Sequence, residues 1–413
     1  MIRDLGAKYS PLYFLAALSS GGMATFFFMY FMFLTPHPET AMPTVESISA
    51  AYNSGNAWMR GAITTGYIGQ VLFLLLHVAL LLWNLREFRS FRASAAFDGF
   101  KNSNASVTLM AIPLTLAMTM NGMFVAGATL VPGRWGAIEM LLPLALAGFL
   151  AIGVGALLIY GRFLVRMMHG AFSFEANTGL TQVLAAFSFA MIGVGLAAGA
   201  AVSTSTATVT VGLVTSIFFM VISMFVFAIM VPLGMKTMLR KGLAPVNSAT
   251  LWLPVPTFTL WGITVVRDAH GLQTLSGAEQ TGGSQALMVI LAVGISAQVA
   301  VLLFGHAMMR HNGFYNDYVM TKKHQSPVAF TLVCPGVALG VLSFFGLHVG
   351  LVQNGVVEKF SPVYFALLAV IFVIQAATVG LIATLLRNQI LRGEASATTE
   401  QQRSEPRLVG ASR

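Results

Sequence analysis

The chain holds one cysteine, Cys334, and eight histidines. Cys334 stands in TLVCPGVALG, directly before Pro335 and Gly336. A lone thiol excludes an internal disulfide framework and a four-cysteine zinc site within one chain. It is either a small packing residue, as buried free cysteine commonly is, or a reactive group. The second role needs a cation or a helix N-terminus nearby to favour the thiolate. Pro335 removes a backbone donor and frees an acceptor, so an irregular backbone is expected there. Three histidines fall in or beside apolar runs: His77 within LLLHVALLL, and His306 and His348 near the ends of theirs. An ionisable side chain inside a membrane is a functional candidate by default. Two histidines could hold a haem, and histidine with Cys334 could hold a metal. No repeated histidine spacing or HxxxH cluster supports either, and His306 and His311, five apart, do not share a helical face. Interfacial anchoring is the competing role for His306 and His348. No metal and no cofactor is expected. The stretches GVGALLIYG and GVGLAAGA lie inside apolar runs and lack the strand–loop–helix context of phosphate binding.

These residues must be carried by apolar helices. The composition is 56% hydrophobic and 9% charged, with mean hydropathy +0.78, whereas about a quarter of a soluble domain is charged. Runs of about 20 apolar residues recur, each long enough to cross a hydrocarbon core of roughly 30 Å. Lipid offers no partner to an unpaired amide, so helices are the expected form. The runs are continuous rather than alternating, which excludes a β-barrel. The expected fold is all-α and polytopic, with ten transmembrane helices over 11–34, 57–83, 105–130, 137–161, 179–202, 209–235, 247–267, 285–309, 327–350 and 362–386. The first run is too long for a signal-peptide core and is read as a retained helix. Residues 1–391 form one transmembrane domain. The polar segment 392–413 reads as a disordered tail, 35–56 as an external loop with a short interfacial helix, and 268–284 as a second external loop. Glu139 is the only acidic residue inside these spans, so a carboxylate proton relay has few possible members.

The net charge of +9 reads as topogenic rather than as a nucleic-acid surface. Arg and Lys gather after every second span, so that one face holds 19 of the 23 basic residues. By the positive-inside rule both termini are cytoplasmic, in a cell (inner or plasma) membrane. The same rhythm divides the chain into five helical hairpins, whose odd members carry small, hydroxyl or proline residues. Examples are Ser19 and Gly22 in the first, Pro113 and Asn121 in the third, Pro254 and Pro256 in the seventh, and Gly340 in the ninth. Such residues either let helices approach closely or line a solvated path, and the repetition on alternate spans raises the second reading to equal standing.

Three passages carry a family resemblance: SPLYFLAALSSGGMA, MKTMLRKGLAPVNSATLWLPVPTFTL and HQSPVAFTLVCPGVALGVLSFFGLH. They resemble the tellurite-resistance and dicarboxylate transporter family, which includes the plant slow-type anion channels. The resemblance implies ten helices as five hairpins around a central pore, a homotrimer, and transport of a small anion. In that family a phenylalanine before a glycine of the ninth helix closes the pore, whereas here Pro335 stands before Gly336. Phe330, Phe344 and Phe345 are possible substitutes. A likeness to the TsoY-type (seleno)proteins would instead make Cys334 a chemical group. The function expected is therefore permeation of a small anion through a pore lined by the odd helices, in a transporter or channel rather than an enzyme. A thiol-redox or sulfur- and selenium-handling protein using Cys334 is the alternative, and a haem- or quinone-binding subunit the second alternative. The expected partners are the anion, the bilayer and further copies of the chain, with no nucleic acid.

Overall fold

A computed structural model describes residues 1–173, 177–277, 283–321 and 324–391. The expected tail from 392 onward and the loop lysines Lys322 and Lys323 lie outside the described residues. The protein is all-α, with no strand among the described residues. Among the described residues ten helices are long and apolar enough to cross a membrane: α1 (Pro11–Leu34), α2 (Ala57–Arg92), α3 (Asn104–Leu130), α4 (Trp135–Gly170), α5 (Thr181–Val202), α6 (Thr206–Lys241), α7 (Pro245–Ser276), α8 (Gln285–His311), α9 (Pro327–Val352) and α10 (Pro362–Ile390). Several even helices outrun their hydropathy peaks. α2 continues to Arg92 and α6 to Lys241, because long basic side chains can end a span while their stems still cover apolar surface.

The odd helices form a closed inner ring, with α1 against α3, α3 against α5, α5 against α7, α7 against α9, and α9 back against α1. The even helices pack outside it: α2 on α1, α4 on α3 and α5, α6 on α5, α8 on α7, and α10 on α9. The burial of each most apolar window follows this division, from 94% in α5 to 11% in α8. Outer side chains such as Leu72, Leu158, Val214, Leu303 and Val373 are exposed, as lipid-facing residues are in a protein with no hydrophobic force between helices and solvent. The backbone amide of Ile2 donates to Ile390 O at 2.8 Å, so the two ends of the described chain meet on one face, as an even number of crossings requires. The basic last turns of α2, α4, α6 and α8 are even-helix ends on that same face, with Arg92, Arg166, Arg240 and Arg310.

Every odd helix opens with a 3-10 stretch: Pro11–Tyr13, Asn104–Met110, Thr181–Val183, Pro245–Trp252 and Pro327–Leu332. These starts touch around the same end of the ring, and Leu180 N donates to Thr250 Oγ1 at 2.9 Å between the third and fourth. The device explains the odd-helix prolines. Pro113, Pro254, Pro256 and Pro335 all fall in the first turn after the 3-10 stretch, where α-helical geometry begins. First-turn amides lack intrahelical acceptors, so proline there costs little. These prolines therefore begin the α-helices rather than break them in mid-span. The prolines embedded in helix interiors are Pro143 and Pro232, on outer helices α4 and α6.

Segment 35–56 contains a short helix as expected, Val45–Ser54, started by a reciprocal capping box between Thr44 and Ser47. The expected loop beginning at 268 is instead helix, because α7 continues to Ser276. Its polar residues Asp268 and His270 face protein and cavity rather than lipid, so hydropathy falls before the helix does.

Candidate functional site: a cavity inside the odd-helix ring

A cavity of about 260 Å³ lies within the ring and is lined by side chains of all five odd helices and of α4. One water needs only about 10–15 Å³ of such space, so the volume accepts a hydrated ion. Its floor is set by Ser19, Met118, Phe187, Pro256 and Cys334. From there it runs along Gly22, Asn121, Gly195, Thr259 and Val337 to Arg267, His270 and the exposed Ala41 and Gln353. It therefore opens at the end opposite Ile2 and Ile390. Helical periodicity accounts for the lining: on α7 the positions are Pro256, Thr259, Leu260, Ile263, Val266, Arg267 and His270, spaced at three and four residues so that they keep to one face.

The wall is pinned by hydrogen bonds between neighbouring helices. Thr259 Oγ1 donates to Ala338 O on α9 at 2.9 Å, and Gln298 Nε2 of α8 donates to Val255 O at 3.0 Å and also to Thr259 Oγ1. Below the floor the ring closes. One turn toward the termini on the lining faces stand Leu15, Leu114, Leu184 and Leu253, each at most 1% exposed. On α9 the same level is occupied by the fully buried Phe330 and Thr331.

The sequence-derived candidates separate into two groups. Cys334, Gly22, Pro256 and Phe345 line the cavity, whereas Pro113, Pro254, Phe330, Phe344, Pro335 and Gly336 do not. Gly336 faces outward, where a Cβ would run into Thr378 of α10. Gly340 similarly receives the ring of Phe26. Most of the small residues thus serve close helix packing, and Gly22, Gly195 and Gly199 are the glycines that also border the cavity. Phe344 is buried in an aromatic cluster with Phe26, Tyr30, Phe33 and His348, so it is a packing residue. Cys334 is 6% exposed, with Sγ 3.7 Å from Ser19 Oγ. The Ser19 hydroxyl donates to Leu15 O at 2.6 Å, which leaves its oxygen to accept from the thiol.

His77 is buried, with Nδ1 2.8 Å from Ala17 O and Nε2 2.9 Å from Thr119 Oγ1. His348 is also buried. Its nitrogens reach Phe344 O and Tyr364 Oη, each at 2.9 Å, and its ring stacks on Phe33 at 4.5 Å. This corrects the interfacial role expected of His348. With both nitrogens engaged, neither histidine offers one to iron. His306 differs, lying exposed with Nδ1 2.9 Å from Tyr315 Oη. Among the described residues no three His, Cys, Asp or Glu side chains converge as a metal site.

Sequence reasoning missed the charged part of the wall. Arg267 reaches the cavity from α7 and donates from Nη1 to Val194 O of α5 at 2.7 Å. Glu139 is not the only acidic residue within the helices either. Asp268 in α7 and Glu87 in α2 are both buried, Glu87 accepting from the amides of Asp4 and Leu5. Glu139 itself accepts from Ser203 Oγ and from Thr204, fastening α4 to the α5–α6 turn. No protein-family model, no curated protein and no solved structure matches the chain.

Proposed function

We propose that this multi-pass membrane protein lets a small anion cross the bilayer along the cavity inside its odd-helix ring. The observation that carries the reading is one cavity bordered by α1, α3, α5, α7 and α9, open at one end and bearing a guanidinium in its wall. A path that binds weakly favours conduction over retention, and the rest of the lining is apolar or neutral. The basic even-helix ends support an orientation with the termini in the cytoplasm of a cell (inner or plasma) membrane and the cavity opening outward. The leucines below the floor would then be the closed gate, an apolar constriction that blocks ions by excluding water. The five-hairpin ring is compatible with the resemblance to the tellurite-resistance and dicarboxylate transporter family, and from that resemblance alone we infer a homotrimer.

The test is anion flux into liposomes containing the purified chain, driven by a potassium diffusion potential. Nitrate or chloride entry above that of empty liposomes is expected; equal rates would refute permeation.

A second reading rests on Cys334 at the cavity floor: a thiol that reacts with a sulfur or selenium compound entering from the open end. It requires loss of function in both Cys334→Ala and Cys334→Ser, each folded as wild type, and full retention of function in a folded Cys334→Ala eliminates it.

A further inference from the structure

Arg267 is half-buried, and its Nη1 bond to Val194 O commits one of five guanidinium N–H donors. The ion pairs among the described residues are Arg86–Asp4 and Lys101–Asp98, so no described carboxylate pairs with Arg267. The nearest candidate in sequence, Asp268, is turned away. Its Oδ1 accepts from Ser216 Oγ of α6 at 2.8 Å, and its Oδ2 has no partner, with the residue 6% exposed. Successive helical residues point about 100° apart, so Asp268 turns toward α6 and leaves the cation on the cavity side. His270, one turn on from Arg267, also lines the cavity.

We infer that Arg267 is the anion-binding group of the cavity and that its ligand is a small planar oxyanion, held by the guanidinium fork with His270 beside it. The inference rests on the permeation reading and names its substrate class. A guanidinium presents parallel N–H groups that match the paired oxygens of nitrate or a carboxylate, a match the point charge of lysine does not provide. Asp268 shares the low-dielectric neighbourhood, so its negative charge opposes an anion at Arg267 and weakens the site.

The experiment measures anion-dependent thermal stabilisation of the purified chain with sodium nitrate and sodium chloride, and nitrate flux in liposomes. In Arg267→Gln the half-saturating nitrate concentration should rise at least tenfold. Arg267→Lys should weaken nitrate by about tenfold while leaving chloride within about twofold, and Asp268→Asn, which keeps the Ser216 contact, should tighten nitrate severalfold. Nitrate binding unchanged in a folded Arg267→Gln overturns the inference. If that variant fails to fold, equal losses of nitrate and chloride in Arg267→Lys, or no tightening in Asp268→Asn, overturn it instead. Wild-type binding through Arg267 without flux would sink permeation alone; wild-type flux that Arg267→Gln leaves unaltered would sink the binding site alone.

Discussion

Replacing Leu184 with alanine should open the path below the cavity. Leu184 is fully buried on α5, one turn from the floor residue Phe187, at the level of Leu15, Leu114 and Leu253. In a packed core, Leu→Ala costs about 2–5 kcal/mol, more where the void stays empty. Here the void would adjoin the cavity rather than stay sealed, so a cost near 2 kcal/mol is expected, and the account requires water to enter the constriction. A wetted constriction lowers the barrier to an ion. Anion flux should rise at least tenfold, equivalent to about 1.4 kcal/mol off the barrier. The assay pairs liposome flux with thermal unfolding, and the control is Leu158→Ala on the outer helix α4, where the side chain is 57% exposed and both quantities should stay near wild type. A folded Leu184→Ala whose flux equals wild type, or a Leu158→Ala that raises flux equally, would refute the assignment of the gate.

Other consequences follow from the packing. Gly340→Ala places a methyl in the ring of Phe26 at the α1–α9 crossing and should destabilise by about 1–3 kcal/mol; a melting temperature equal to wild type would contradict this. Tyr30→Phe removes the hydroxyl that donates to Gln375 Oε1 at 2.6 Å between α1 and α10, leaving a buried acceptor unpaired, and should cost about 1–3 kcal/mol in chemical unfolding. Burial holds His37 below its ordinary value of 6.5, only partly opposed by its bond to Thr35 O, and Lys359 adds to the lowering. The folded state therefore binds fewer protons than the unfolded state, so this stability is complete above 6.5 and lost as pH falls from there through the lower folded-state value. Melting temperature should drop on acidification from neutral pH toward 5, less steeply in His37→Gln; identical slopes would exclude His37 as the cause.

The ten crossings were legible because lipid enforces continuous apolar runs, and the division into inner and outer helices was legible in residues such as Gly22 and Asn121. The duties of individual small residues were not. Gly22 borders the cavity, while Gly336 and Gly340 accommodate Thr378 and Phe26, and nothing local to a glycine tells which neighbour approaches it. Pro335 signalled irregular backbone, but the 3-10 starts shared by five helices became visible only through their dihedral angles. Arg267 escaped because hydropathy ends the seventh span there. Extending the repeat Pro256, Leu260, Ile263 by one turn would have placed Arg267 on the lining face. Asp268 escaped for the same reason, its partner Ser216 lying 52 residues away.

The claim on which the rest depends is that the cavity inside the odd-helix ring is the route the anion takes. Its native cysteine provides the most direct test: flux through liposome-reconstituted protein before and after a small, membrane-impermeant methanethiosulfonate reagent is applied from the side opposite the termini. The account predicts that Cys334 is labelled from that side and that flux falls at least tenfold, while Cys334→Ser is unaffected by the reagent. Complete labelling of Cys334 with undiminished flux would contradict it.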